Sequence, residues 1–252
     1  MAEAKHEEKL FYDRLSDLVH GVERDWTARF TFFLDERQQA LAQRHLHYSG
    51  FHHFMLYGGF DKAGRKLLGL FPEYMEPTGE DFPLQAVTLY YRAADKPRHQ
   101  DILGTLMGLN VKRELIGDIL IADEFAVIFL LEPANTLVLT ELNKIGRAGV
   151  KVTQGLPAQL PEPYTLKPIG GTVSSLRLDC LVAFFTNLSR EKASQLIRSG
   201  QVSLNFFEVD EISHPVAEGD IFSIRGYGRF VLSHVGGLSQ KGRLHLTGHQ
   251  YV

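Results

Sequence analysis

Residues 175–230 read SLRLDCLVAFFTNLSREKASQLIRSGQVSLNFFEVDEISHPVAEGDIFSIRGYGRF. Leu176, Leu178, Leu181, Val182 and Phe185 fall on one side of a short amphipathic helix. Asn187 ends it, and Ser189 is placed to cap a second helix over Arg190–Ser199. Ala193, Leu196 and Ile197 give that helix a buried stripe, while Arg190, Ser194 and Arg198, four apart, line its other side. Gly200 stands where a helix leaves through a left-handed residue. Gln201–Asn205 and Glu208–Ile212 are expected as paired strands, and Gly219-Asp220 turns into a strand over Ile221–Arg225. A helix start offers free N–H groups and the positive end of the helix dipole. Arg190, Lys192 and Arg198 beside such a start make a phosphate-facing patch, because the guanidinium fork matches phosphate. A solvated helix face is the other reading of the same arginines.

Upstream, 156–171 reads LPAQLPEPYTLKPIGG, with Pro157, Pro161, Pro163 and Pro168 followed by Gly170-Gly171. Proline restrains itself and the residue before it, so the stretch reads as an extended linker. A weaker boundary is the acidic, turn-rich EPTGEDFP at 76–83. Before it, Leu10, Phe11, Leu15, Leu18 and Val19 mark a helix, and Asp35 can cap another through Leu46. Strands Phe54–Tyr57 and Lys66–Phe71 flank a glycine-rich turn. Between the two boundaries the predicted order is strand (Ala86–Tyr91), helix (Arg98–Leu109), strands (Asp118–Ala122, Phe125–Leu131), helix (Ala134–Ile145) and strand (Val150–Thr153). That βαββαβ order is the ferredoxin-like plait. Arg98-His99 and Lys112-Arg113 flank its first helix, either as a second RNA surface or as ordinary polar helix ends.

The 252 residues are 44% hydrophobic and 23% charged, which excludes a disordered, collagen-like or disulfide-stapled chain. Lys plus Arg number 27 against 30 for Asp plus Glu, a net charge of -3, so any nucleic-acid surface is local. Acidic residues outnumber basic ones before the linker, and the balance turns positive only from about residue 165. The one cysteine, Cys180, excludes a disulfide framework and a cysteine-built zinc site, and its place on the first helix reads as a small buried hydrophobe. His45, His47, His52 and His53 cluster without acidic or cysteine partners at ligand spacing, so no metal is expected. Gly226-Tyr-Gly228 lacks the third glycine and following helix of a dinucleotide loop, and no cofactor is expected. The longest apolar run, Phe125–Leu131, is far too short to cross a bilayer, and the charged first 20 residues do not resemble a signal peptide; a cytoplasmic location is expected.

The 175–230 pattern resembles the S4 RNA-binding domain. Arg177-Leu178-Asp179, Ser189-Arg190, Ala193, Leu196 through Gly200, Val202, Asn205 and Gly219-Asp220 carry the likeness, with Phe206 departing from the usual glycine of the hairpin turn. The resemblance implies RNA contacts at Arg177, Ser189, Arg190, Lys192, Arg198, Gly200 and Asn205, to which Ser194 and, at the end of the pattern, Arg225, Tyr227 and Arg229 are added. Tyr227 could stack on a base or pack in the core. With Arg98 to Gly104, Lys112-Arg113-Glu114 and Ile116-Gly117-Asp118-Ile119, the whole chain looks like the YlmH family of bacterial proteins.

The expected architecture is therefore α+β: an N-terminal helical and hairpin domain (1–82), a ferredoxin-like RNA-binding plait (83–156), a Pro/Gly linker (157–171) and an S4 domain with a C-terminal strand (172–252). The family implies a non-catalytic factor contacting rRNA or tRNA on the large ribosomal subunit, linked to rescue of stalled translation, with genes often beside those of cell division. The rivals are an RNA-modifying enzyme of the pseudouridine-synthase type guided by its S4 domain, and a division-associated scaffold. No Gly-Arg-Leu-Asp catalytic loop, methyl-donor loop or nucleotide-binding loop is present, and no heptad interface is visible.

Overall fold

A computed structural model describes residues 2–252, a mixed α/β chain that divides into two compact units, one ending at Pro163 and one spanning Tyr164–Val252.

The first unit opens with α1 (Ala2–Asp25), β1 (Arg29–Phe30), α2 (Glu36–Ser49), β2 (Phe54–Tyr57) and β3 (Leu67–Leu70). Asp35 caps α2 as its sequence suggested: its carboxylate accepts from the Gln38 N–H, and Gln38 returns a bond to the Asp35 backbone. The three strands pair antiparallel in the order β1-β3-β2. Leu15, Val19 and Val22 of α1 pack with Leu46 of α2 and with Leu68 and Leu70 of β3, whereas Leu10 is exposed.

The plait follows: β4 (Leu84–Tyr90), α3 (His99–Gly108), β5 (Ile116–Ile121), β6 (Phe125–Leu131), α4 (Ala134–Glu141), a short hairpin of β7 (Lys144–Ile145) and β8 (Ala148–Gly149), and β9 (Lys151–Gln154). The sheet order β5-β6-β4-β9, all antiparallel, is that of a split βαβ plait. Strand ends shift by one or two residues, and one helix end moves further. α4 stops at Glu141 rather than Ile145, because Lys144–Ile145 is taken up as β7, which Gly146, left-handed at φ 58, turns back onto β8.

The boundary expected at 76–83 does not separate two cores. Phe33, Leu67, Phe71 and Phe82 share one cluster with Val87, Leu89, Ile128 and Phe129. β6 is buried at every residue from Ala126 to Leu131, so neither face of its sheet is open to water there. Phe60 stacks on Phe129 with ring centroids 5.2 Å apart. Two glycines permit the approach: a Cβ on Gly59 would lie 2.2 Å from Phe129, and one on Gly117 would lie 2.7 Å from Phe33. Asp118 of β5 ties the glycine-rich turn down by accepting the N–H groups of Gly64 at 2.6 Å and Arg65 at 3.1 Å.

The second unit runs β10 (Leu166–Val173), α5 (Leu178–Thr186), α6 (Arg190–Arg198), β11 (Val202–Leu204), β12 (Phe207–Glu208), β13 (Ile221–Ile224), β14 (Gly228–Leu238) and β15 (Leu244–Tyr251). They form one antiparallel sheet in the order β10-β15-β14-β13-β11-β12. The expected linker 157–171 is thus only partly a linker, since its second half is the edge strand β10, paired with β15 from Leu166 to Val173. Pro168 is compatible with an edge position, and Gly171 lets Phe184 lie against the strand, where a Cβ would meet that ring at 2.8 Å. The strand expected over 208–212 ends at Glu208. The chain beyond it instead covers the start of α5, where His214 and Ile212 carbonyls accept the Leu178 and Asp179 N–H groups at 2.9 and 3.1 Å.

Candidate nucleic-acid interface

α6 is amphipathic by construction. Ala193 and Ile197 are wholly buried, and Ser189 caps the helix with its Oγ accepting the Lys192 N–H at 3.3 Å. Gly200 leaves the helix at φ 68, as its position predicted. The row Arg190, Ser194, Arg198 does not act as one face. Lys192 and Arg198 are exposed and have no carboxylate partner among the described residues. The Ser194 hydroxyl donates to the Arg190 carbonyl at 2.8 Å.

Arg190 turns to α5 instead, where its guanidinium binds one oxygen of Asp179. Arg177, at the start of α5, reaches the same carboxylate with Nε 3.2 Å from Oδ1 and Nη2 3.5 Å from Oδ2. The Asp179 side chain is only 4% exposed, against 54% for Arg190. Burial pushes the Asp179 carboxyl up, but the hydrogen bond and charge of Arg190, joined by Arg177, outweigh it and hold the group below the ordinary carboxylate value. The Arg190 guanidinium is raised in return, first by its bond to Asp179. Arg177 and Arg190, expected as direct phosphate contacts, are therefore counterions of a buried carboxylate; the clamp as a whole keeps one positive charge. Asp179 is not among the residues expected to work here; the signal for it in the sequence is an acid in the first turn of an apolar helix, two residues after an arginine.

The hairpin after α6 turns at Asn205 (φ 49) and Phe206 (φ 72), both left-handed, between the paired Leu204 and Phe207. The glycine that such a turn favours is replaced by a ring at a cost of roughly 1–2 kcal/mol. The Arg229 guanidinium lies 5.6 Å from the centre of that ring and 5.8 Å from that of Tyr251. Asn205, expected on RNA, is occupied: its amide donates to Asp220 at 2.8 Å and its oxygen accepts the Ile221 N–H at 3.0 Å. It organises the turn. Arg225 is exposed, and Tyr227, 39% exposed, lies outside the core and offers its carbonyl to Gln250 at 3.1 Å.

The second expected surface, in the first unit, is largely engaged with itself. Arg98 forks onto Asp101 with both contacts at 3.0 Å, and Lys112 is 4.0 Å from Glu114. Arg113 is half-buried and donates to the Ile116 carbonyl at 2.6 Å, an oxygen it shares with Arg65 Nε at 2.9 Å. Desolvation and the neighbouring Arg65 charge push Arg113 down to about 10. Desolvation and then Arg113 lower His99, which disfavours its charged form. Only Arg98 and Lys112 remain well exposed, at 73% and 76%. Arg65, which joins the two halves of the unit by donating from one guanidinium to the Phe33 carbonyl at 2.9 Å and to the Ile116 carbonyl of the plait, carries no sequence signal beyond its place after a turn.

Comparison with known proteins places this chain in a class. Residues 77–157, which contain β4 through β9, match the family described as "Putative RNA-binding domain in YlmH". Over 254 aligned residues the chain is 34% identical to the Ribosome-associated protein quality control protein P2 of Bacillus subtilis (strain 168), covering 96% of this chain and 95% of that relative. The chain belongs to the YlmH family. Its fold is similar to that of the solved Cell division protein ylmH from Streptococcus pneumoniae, with a TM-score of 0.53 and 24% identity over 60% of this chain and 92% of the other.

Proposed function

We propose that this protein is a non-catalytic RNA-binding factor that contacts rRNA or tRNA on the large ribosomal subunit during rescue of stalled translation. In this reading it acts in the cytoplasm, and α5, α6 and the β11–β12 hairpin are its S4 module. The observation that carries the proposal is the exposed polar surface of α6, where Lys192 in the first turn, beside the Ser189 cap, and Arg198 in the last turn stand without carboxylate partners among the described residues. Charges of this kind meet phosphate oxygens and position a protein on folded RNA without reading its sequence. The full-length relative named for ribosome-associated quality control supports the same role.

In-cell crosslinking followed by sequencing of the attached RNA is the test. Recovery of ribosomal and transfer RNA, lost in Arg198→Ala, is the expected result. Recovery of mostly messenger RNA, or RNA modification that depends on this protein, would overturn the proposal.

A further inference from the structure

From Ile221 to Val252 the chain carries Arg225, Arg229, Lys241 and Arg243 and no Asp or Glu. This stretch forms β13, β14 and β15. β10, which pairs with β15 at the edge, adds Lys167 and again no carboxylate. The acidic residues of the second unit all lie between Asp179 and Asp220. Four of the six strands of this sheet, with the turns that join β13, β14 and β15, therefore carry cationic but no acidic side chains, in a chain whose net charge is -3.

The two faces of this part of the sheet differ. Phe230, Leu232 and Leu246 point into the core, and Gly248 lies against Phe185 of α5. Their neighbours alternate to the other side, where Ser233, His245 and Thr247 are exposed. Glu218, from the loop before β13, reaches His234 at 3.0 Å and accepts the Val235 N–H, at the β14 side. At the far end, the turn between β14 and β15 holds an organised arginine. Arg243 Nε donates to Thr172 Oγ1 at 3.0 Å and Nη2 to the Thr172 carbonyl at 2.6 Å. Gly242, left-handed at φ 70, closes the turn with its N–H on the Ser239 carbonyl at 2.9 Å, and Lys241 beside it is exposed. Two donors of the Arg243 fork thus fix its position, and the others stay uncommitted.

We propose that the outward face of β10, β15 and β14, rimmed by Lys241 and Arg243, is a second RNA contact of this unit, gripping the phosphodiester backbone of structured RNA. The inference deepens the RNA-binding reading of α6 and rests on it. Charge complementarity selects a polyanion. The preset guanidinium fork selects phosphate, because its ordering cost is met before the ligand arrives. The hydroxyls and imidazoles of the exposed face suit backbone contact, which does not depend on sequence.

The test uses the full chain and a fluorescent mixed-sequence RNA duplex of roughly 16 base pairs. Affinity is measured at three salt concentrations for wild type, Arg198→Ala, Lys241→Ala and the double variant Lys241→Ala/Arg243→Ala. The double variant should bind about tenfold more weakly and lower the salt slope by about two contacts. Lys241→Ala, whose side chain makes no described contact, should lose about half of that slope change without altering thermal melting, which separates binding from folding. Wild-type affinity and slope in both Lys241 variants, with a clear loss in Arg198→Ala, would overturn this inference and leave the α6 reading standing. No loss in any variant would overturn both. Competition by polyglutamate as strong as by transfer RNA would identify an acidic protein surface as the ligand and also overturn it.

Discussion

Removing the Arg190 guanidinium should unlatch α5 from α6. In Arg190→Ala the Asp179 carboxylate stays buried with Arg177 as its one remaining cation among the described residues, at 3.2 Å or more. Orphaning a fully buried ion typically costs about 3–5 kcal/mol. Here Arg177 remains and Arg190 is half-exposed, so water screens the pair and the expected loss is about 1–2 kcal/mol. The protein carries its own reporter. Cys180, the only cysteine, sits next to Asp179 on α5 and is 5% exposed. Labelling by a thiol reagent therefore reports opening of this helix, and a loss of about 1–2 kcal/mol corresponds to roughly 5- to 30-fold faster labelling when opening is rapid. In an Asp179→Asn background the same substitution should cost little, because no carboxylate is left to orphan. The pH dependence has a definite sign. The folded Asp179 carboxyl is held below its unfolded value near 3.9, so its stabilisation is complete above that pH and fades as pH falls through the lower folded value. The gap between wild type and Arg190→Ala should close in acid. Wild-type labelling in Arg190→Ala, or an undiminished cost in the Asp179→Asn background, would refute the clamp.

Three further outcomes are expected. Gly248→Ala, whose added Cβ would lie 2.4 Å from Phe185 and 2.9 Å from the Val231 carbonyl, should destabilise the second unit by about 1–3 kcal/mol, measured by chemical denaturation. Brief proteolysis should nick first within 155–165, between β9 and β10; primary cleavage inside 166–173 would contradict the strand pairing of β10. Arg98→Ala/Lys112→Ala should leave thermal melting unchanged and weaken co-sedimentation with large ribosomal subunits if the plait touches RNA; unchanged sedimentation would reduce both residues to solvated helix ends.

Local chemistry was readable from the sequence where one residue type dictates one conformation. Asp35 and Ser189 declared two helix starts, and Gly200 one helix end, because caps act within a turn of their own position. The plait order followed from alternating periodicity. What escaped were relations between distant segments. Nothing local to Gly59 or Gly117 shows that Phe129 and Phe33 will press on them, so the sequence suggests two cores where the structure holds one. Proline and paired glycines at 168–171 looked like linker, since a composition of that kind cannot reveal that β15, some eighty residues later, will pair with it. The α6 arginines were recognised by type, but whether each meets solvent or a buried acid depends on Asp179, a partner on another helix.

The shared core of the first unit has a consequence for how the chain is made. Synthesis delivers residues in order, and the segment bearing Phe33, Leu67 and Phe71 leaves the exit tunnel well before Phe129, with whose cluster these side chains pack. Until β6 has emerged, that apolar surface lacks the largest part of its counterpart. The N-terminal segment therefore cannot complete its folding as a separate step during translation. The unit should instead consolidate late, in one cooperative event, with the growing chain exposing sticky aromatics in the interval. A nascent chain of this protein truncated between residues 83 and 125 would be a natural client for holding chaperones.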